Sequence, residues 1–417
     1  METLVVKNFL VIKEASLDVK KINIIIGSQG TGKSVLAKTL YLLKNLENLV
    51  RSNLIKCLNF ESLNKELKNK FISIFPEYTW KPQNFEIFYT IGNVSITIKN
   101  NDGLNFIFSE NLINDYNKIL EQFILIKENI DNESIKSSDD DDEVLNILPK
   151  SFIYRRHIHK LLNNSNLSHL MSSSHFIPAS RAFFSLFYEN LFSILNSASN
   201  LDPFLMEFGS LYEGFRSTYN RHLDSIQDSF PLEFSKQILN GDIILKEEKC
   251  FIVNENQSIE LIQASSGQQE ALPMLQTLAV LSIYNRHNNL TFIEEPEAHL
   301  FPTSQANVMK LLSFLNNKGQ NFFITTHSPY ILSELNNYLY AQDLIKRDFL
   351  SIENFEKIIP STSPIDINNL SAYKIEDGIL TSIIDYEFSM IDSEELDKAS
   401  SHASDIYNQL LEFEPQD

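Results

Sequence analysis

The chain has 417 residues, 43% of them hydrophobic, and no uninterrupted apolar run of about 18; it has material for two or three domains and none for a transmembrane span. Its 54 acidic and 35 basic residues give a net charge of −19, which repels nucleic acid on average and confines any such contact to a local basic patch or a partner. The start METLVVKNF lacks a basic region followed by a long apolar run, and the two cysteines, Cys57 and Cys250, make no disulfide framework, so a cytoplasmic protein without a secretory signal is expected.

In chain order, residues 4–9, 11–17 and 22–26 read as strands, the last a run of isoleucines suited to burial. Residues 33–50 read as helix, with Val35, Leu36, Leu40 and Leu43 along one side. Between 85 and 110 the segments FEIFYTI, NVSITIK and LNFIFSE alternate around the turn Asn101-Asp102-Gly103, a hairpin signal. Helices at 111–130 and 144–163 flank SSDDDDE (137–143), an acidic linker. SHFIPASR (174–181) is a short strand ending at Pro178, followed by a helical region rich in phenylalanine (Phe183, Phe184, Phe187, Phe192). Asp202-Pro203 marks a helix start, with Asp as cap and Pro as first helical residue. Residues 243–262 return to strands, and 290–293 and 321–325 are buried strands. The tail holds a hairpin around Asp377-Gly378 and a last helix from about residue 393, whose Leu396, Ala399, Ala403, Ile406 and Leu410 form a docking stripe. Apolar runs separated by helices indicate an α/β core with parallel strands, which residues 44–255 interrupt with helices and hairpins.

GSQGTGKS (27–34) follows the strand INIII and precedes a helix, the context that G-x-x-x-x-G-K-[ST] requires. Gly27, Gly30 and Gly32 are expected to take backbone angles closed to other residues, turning the N–H groups of Ser28, Gln29 and Thr31 inward on a phosphate. Lys33 is placed to reach the β- and γ-phosphates and Ser34 to meet Mg²⁺. LTFIEEPEAHLFP (290–302) is an apolar strand ending in two acids: Glu294 takes the metal position and Glu295 that of the base acting on the attacking water. NFFITTHSPYIL (321–332) is a buried strand ending at His327, whose imidazole suits a γ-phosphate or the water. His299 either lines a seam between copies or caps the next helix.

QASSGQQEALPMLQTLAVLSIY (263–284) opens a long helix with short polar residues. N-capping by Ser265 or Ser266 accounts for the serines and not for a glycine and two glutamines. A helix start offered by a second subunit accounts for all of them: Ser266 and Gly267 face a phosphate, and Gln268 and Gln269 orient the contact.

GSQGTGKS, SSGQQE, FIEEPEAHLFP and ITTHSP occur in the order found in ABC-class ATPase heads, and the chain resembles that class, which includes SMC and RecF proteins and especially the OLD-like and abortive-infection AAA ATPases. SSGQQE (265–270) looks like the signature loop, usually LSGGQ, with Gln268 where the second glycine stands. The resemblance implies an α/β P-loop NTPase of ABC-ATPase head type: a mixed sheet, flanking helices, and a helical and β-hairpin insertion. It places the head at 1–45, 174–182 and 243–345, insertions at 46–173 and 183–242, and a C-terminal hairpin with docking helix at 346–417. It further implies ATP hydrolysis with Mg²⁺, and a homodimer or higher oligomer that ATP closes and hydrolysis opens. No Q-loop glutamine is assignable; Arg181 stands in that neighbourhood, facing phosphate, the acidic strand end or a buried ion pair. Two roles follow: a gate in anti-phage defence over a separately encoded effector such as a nuclease, or a DNA-repair head. In the 90 residues after His327 no Asp-x-Asp occurs, so no nuclease of the OLD type is expected on this chain. Long heptads are missing, which excludes an SMC-length coiled coil, and the large insertion and EEPEAHL argue against a transporter subunit. Of the cluster YRRHIHK, Arg155, Arg156, His157, His159 and Lys160 either touch phosphates or form a solvated helix face; His157 and His159, two apart, share no helix face, so no zinc site is expected there.

Overall fold

The run INIII can be buried on both faces only if helices cover both sides of its sheet, and they do. The computed structural model describes residues 2–136, 149–186, 201–246, 249–284 and 289–392. The acidic linker at 137–143, Phe187, Phe192 and the expected final helix lie outside these residues. Besides a short pair at Ile384–Asp385 and Met390–Ile391, the strands are β1 (Glu2–Phe9), β2 (Ile12–Asp18), β3 (Ile22–Ile26), β4 (Phe85–Ile91), β5 (Val94–Asn100), β6 (Leu104–Phe108), β7 (Ser174–Ile177), β8 (Asp242–Lys246), β9 (Lys249–Val253), β10 (Ser258–Glu260), β11 (Leu290–Glu294), β12 (Asn321–Thr326), β13 (Leu370–Glu376) and β14 (Ile379–Ser382). Eleven of them form one mixed sheet in the order β6-β5-β4-β1-β2-β14-β13-β3-β12-β11-β7.

From β13 to β7 every neighbouring pair is parallel. Alternate residues enter different cores. Ile24, Ile293 and Ile324 join one hydrophobic cluster, with Leu272, Val308 and Leu335 from the helices Ser266–Ile283, Pro302–Asn317 and Pro329–Lys346. Ile25, Phe292 and Phe323 join the other, with Leu40 from the helix Lys33–Lys44 and Leu54 from Leu46–Ile55. This two-sided cover is why the parallel strands read as unbroken apolar runs. The other half is largely antiparallel. There burial alternates along β4 and β5, whose inner residues pack with Leu63, Leu67 and Phe71 of Phe60–Ile74 and with Tyr116 and Phe123 of Glu110–Lys136.

Three placements differ from the sequence reading. β13 and β14, expected in a separate C-terminal hairpin, lie in the head sheet, with β13 directly beside β3. Only part of LSAYKIE is buried, so its own pattern does not mark a central strand; register against Ile22–Ile26 places it. Strands β4–β6, inside the expected insertion, continue the same sheet through the β1–β4 pair. β8–β10, expected in the head, form a separate three-stranded sheet. The Asp202-Pro203 start appears as read: Asp202 accepts from the Phe204 N–H at 2.8 Å and also pairs with Lys38 at 2.6 Å, tying this helix to Lys33–Lys44.

Candidate functional site

The strand-loop-helix element runs from β3 through residues 27–32 into Lys33–Lys44. Gly30 and Gly32 have φ of +77° and +108°, in the left-handed region that favours glycine. Gly27 does not, and its reason is space: a Cβ there would stand 2.5 Å from the Ile375 carbonyl oxygen of β13. The Thr31 hydroxyl closes the loop by donating to Ser28 O at 2.9 Å. Gly32 caps the helix without a side-chain bond, so no side chain caps its first-turn N–H groups. Ser28, Gln29, Gly30 and Ser34 are exposed on the rim. Lys33 curls back and donates from Nζ to the carbonyls of Gly27 at 2.7 Å and Ser28 at 2.8 Å. Burial holds its ammonium below the ordinary lysine value, opposed by the charges of Glu295, Glu297 and Glu294.

β3, β12 and β11 are adjacent, so their C-terminal ends bring Lys33, His327 and Glu295 together. Lys33 Nζ lies 3.3 Å from His327 Nδ1, and His327 Nε2 lies 3.1 Å from Glu295 Oε1. A lysine ammonium only donates, so Nδ1 accepts and the ring hydrogen sits on Nε2, donating to the Glu295 carboxylate. Glu295 has φ of +45°, a left-handed angle in a residue with a full side chain, and its N–H donates to Thr325 O at 2.8 Å. Glu294 is buried; Oε2 accepts from the Ala179 N–H at 3.4 Å, and Oε1 has no hydrogen-bond partner.

Glu297 escaped the sequence reading. Its buried Oε1 accepts from the Thr326 hydroxyl at 2.6 Å and from the His327 N–H at 2.8 Å, fixing the end of β12, while Oε2 has no hydrogen-bond partner. The signal available was a third acid in EEPE, set where a loop would otherwise expose it. Ser328 Oγ donates to Gln305 Oε1 at 2.6 Å, joining the starts of the helices Pro329–Lys346 and Pro302–Asn317.

In the serine-led helix, contacts within the chain engage the glycine and both glutamines, capping in the case of Gln268 and packing or carbonyl bonds for the other two. Ser265 Oγ accepts from the Gln268 N–H at 3.4 Å and the Ser265 N–H donates to Gln268 Oε1 at 3.0 Å, a full capping box. Gln268 Nε2 also reaches Leu239 O at 2.7 Å, and Gln269 Nε2 donates to the carbonyls of Leu261 and Ile262. Gly267 lies under the His299 carbonyl, where a Cβ would come within 2.5 Å. Ser265 and Ser266 remain exposed. His299, with φ of +60°, does not cap the next helix; Phe301 holds that position.

Arg181, left open between three readings, is fully buried and clamps the acid turn to this helix. Its Nη1 donates to Glu294 O at 2.7 Å and its Nη2 to Glu295 O at 2.9 Å, while Nε donates to Glu270 O at 3.1 Å. From the cluster YRRHIHK, Arg155, Arg156 and His159 face a cleft of about 1070 Å³ with Arg51, Lys56 and Phe152. Ser173 and Asn289 also line it; they precede β7 and β11 and so mark the end of the sheet opposite the phosphate loop.

Residues 1–332 match the family AAA_15, described as an AAA ATPase domain. No curated protein matches the chain. Among solved structures it is similar to an SMC head bound to the C-terminal winged-helix domain of ScpA, at 13% identity over 91% of this chain and 96% of that one, with a TM-score of 0.43. It is similar as well to the SMC head domain from Thermotoga maritima, at 11% identity over 91% and 97%, TM-score 0.37. A third is the recombination mediator protein RecF–ATPrS of the RecFOR pathway, at 12% identity over 91% and 97%, TM-score 0.33.

Proposed function

We propose that this chain, which belongs to the AAA_15 family of AAA ATPase domains, closes on a second copy of itself around ATP and uses that cycle to gate a partner. The observation that carries the reading is the hydrogen-bonded series Lys33–His327–Glu295 at one end of the parallel strands. The residues fit the nucleotide: the loop is too tight for a Cβ at Gly27, and the first-turn amides have no side-chain cap. They fit a divalent cation as well, since Glu294 offers a buried carboxylate oxygen with no hydrogen-bond partner. Ser34 and Glu294 would hold Mg²⁺, which when bound neutralises charge on the β- and γ-phosphates.

The rest is done by this chain's own groups. Lys33 exchanges the carbonyls of Gly27 and Ser28 for phosphate oxygens, and the amides of residues 28–34 turn toward the same anion. Glu295 takes a proton from water, and the Nε2–H of His327 holds its carboxylate in place meanwhile. The open side of the phosphate is met by Ser265, Ser266 and the helix start of the second copy, which Gln268 and Gln269 hold rigid. Phe301 and Tyr330, 73% and 52% exposed at two helix starts joined by the Ser328–Gln305 bond, supply apolar area for that copy to cover. Sedimentation of Glu295→Gln protein is expected to show a dimer with ATP and a smaller species without it. A monomer at saturating ATP overturns the reading.

For the biological role, the resemblance to the OLD-like and abortive-infection ATPases supports anti-phage defence, with a separately encoded effector, a nuclease first among candidates, as the gated partner. Phage plating should rise when Lys33→Ala replaces the unmodified protein; equal plating sinks this role. A DNA-maintenance role is favoured by one observation, the basic cleft of Arg51, Lys56, Arg155 and Arg156 on a chain of net charge −19. It requires salt-dependent DNA binding that Arg155→Glu with Arg156→Glu weakens. Absence of binding at low salt removes it.

A further inference from the structure

Arg181 is among the largest side chains wholly withdrawn from solvent among the described residues. A guanidinium is costly to bury unless its N–H groups are matched, and a leucine or methionine would fill comparable space. What the guanidinium adds is a rigid fork of donors. One edge serves the serine-led helix: Nε donates to Glu270 O at 3.1 Å and lies 3.5 Å from Glu270 Oε2, which also accepts the Arg181 backbone N–H at 2.8 Å. The other edge serves the acid turn through Glu294 O and Glu295 O, with Pro178 O at 2.9 Å beside them.

The acid turn is the place where such a fork has an effect. Glu295 and His299 both hold left-handed φ angles, and such angles persist only where the surroundings over-determine them. Both are braced by the same helix start, Glu295 through Arg181 and His299 through its carbonyl seated over Gly267. The opening of the helix, at Gly267 and Glu270, and the turn carrying the base are therefore tied at two points.

We infer that Arg181 is a positioning residue that makes the setting of Glu295 depend on the start of the serine-led helix, so that a phosphate pressed against Ser265 and Ser266 by one copy aligns the base in the other copy's own site. This rests on the shared-ATP arrangement proposed above. Each subunit then hydrolyses its own ATP at full rate only when its partner's loop is also filled. The coupling runs through carbonyl orientation, which a lysine at 181 cannot reproduce, because one ammonium cannot span both edges.

The test uses the full chain and measures ATP turnover against ATP concentration, with loop occupancy followed separately by a fluorescent ATP analogue. Unmodified protein is expected to show a Hill coefficient approaching about 2, the number of coupled sites. Arg181→Lys and Glu270→Gln should both bring it to about 1. In both variants kcat should fall by about tenfold to a hundredfold while analogue affinity changes by less than about twofold. Glu270→Gln removes the countercharge beside the guanidinium and weakens the acceptor of the Arg181 N–H, so it loosens the fork at the helix edge even if Arg181→Lys fails to fold. An unchanged Hill coefficient in folded Glu270→Gln protein overturns the inference, and so does a coefficient of 1 in unmodified protein that dimerises with ATP. Sedimentation of the same samples separates the two claims: hydrolysis by a strict monomer removes the shared-ATP reading first, and the coupling with it.

Discussion

The two halves of the large sheet are built on different rules. From β13 to β7 the strands are parallel, covered by helices on both faces, and their C-terminal ends carry Lys33, Glu294, Glu295 and His327. From β6 to β2 they are antiparallel, with alternating burial on β4 and β5 and side chains such as Phe88 and Ile107 open to solvent. Parallel strands all point their C-terminal ends the same way, so successive connections deliver loops to one edge. Antiparallel strands send alternate connections to opposite edges and cannot gather a site this way. On the proposed function, the parallel half holds the chemistry and the antiparallel half supports it.

That division can be tested by substitution, and the largest effect belongs to the parallel half. Lys33→Ala should lower ATP turnover by at least about a thousandfold, or about 4 kcal/mol, with little change in thermal unfolding; a steady-state assay beside a melting curve checks both. Next comes Ile98→Ala in β5, fully buried against the helical cover of that half. It should cost about 2–5 kcal/mol in chemical denaturation while kcat per folded molecule stays the same. A fall in kcat there would show that the antiparallel half takes part in the chemistry.

A smaller effect should come from pH. Burial depresses the Lys33 ammonium, and bound phosphate would restore it, so free protein sheds this proton below the usual lysine value of 10.5 while the complex keeps it. Nucleotide affinity should therefore fall through the alkaline range below that value, by at most about tenfold per pH unit. The sign for stability is the reverse: the cost of the buried charge is present at neutral pH and is relieved as pH rises through the depressed value. A flat affinity profile up to the usual lysine range would contradict this. Smallest of all, Ile107→Thr on the exposed side of β6 should change stability by no more than about 0.5 kcal/mol.

The same contrast explains what could be read from the amino acids. Strands covered on both faces announce themselves as INIII, LTFIE and NFFITT, and the groups at their ends, Lys33, Glu294, Glu295 and His327, could be named from order alone. Alternation likewise marked β4 and β5. What stayed hidden depends on contacts between distant segments. Gly27 is required by the nearness of Ile375, not by its own backbone angle. Gln268 and Gln269 reach carbonyls of Leu239 and Leu261, and nothing in SSGQQE points to those partners. Arg181 and Glu270 meet across 89 positions, and an arginine after a short strand gives no hint that it will be wholly buried. β13 has too mixed a pattern to declare itself central.

The position of β13 also bears on how the molecule comes into being. The loop strand β3 is flanked by β13 and β12, and Asn23 meets Ser371 across a separation of 348 residues. On the ribosome, the glycine loop after β3 is made long before β13 and lacks one wall until residue 376 has emerged. A nascent chain should thus be unable to bind ATP tightly until β13 has emerged and paired with β3.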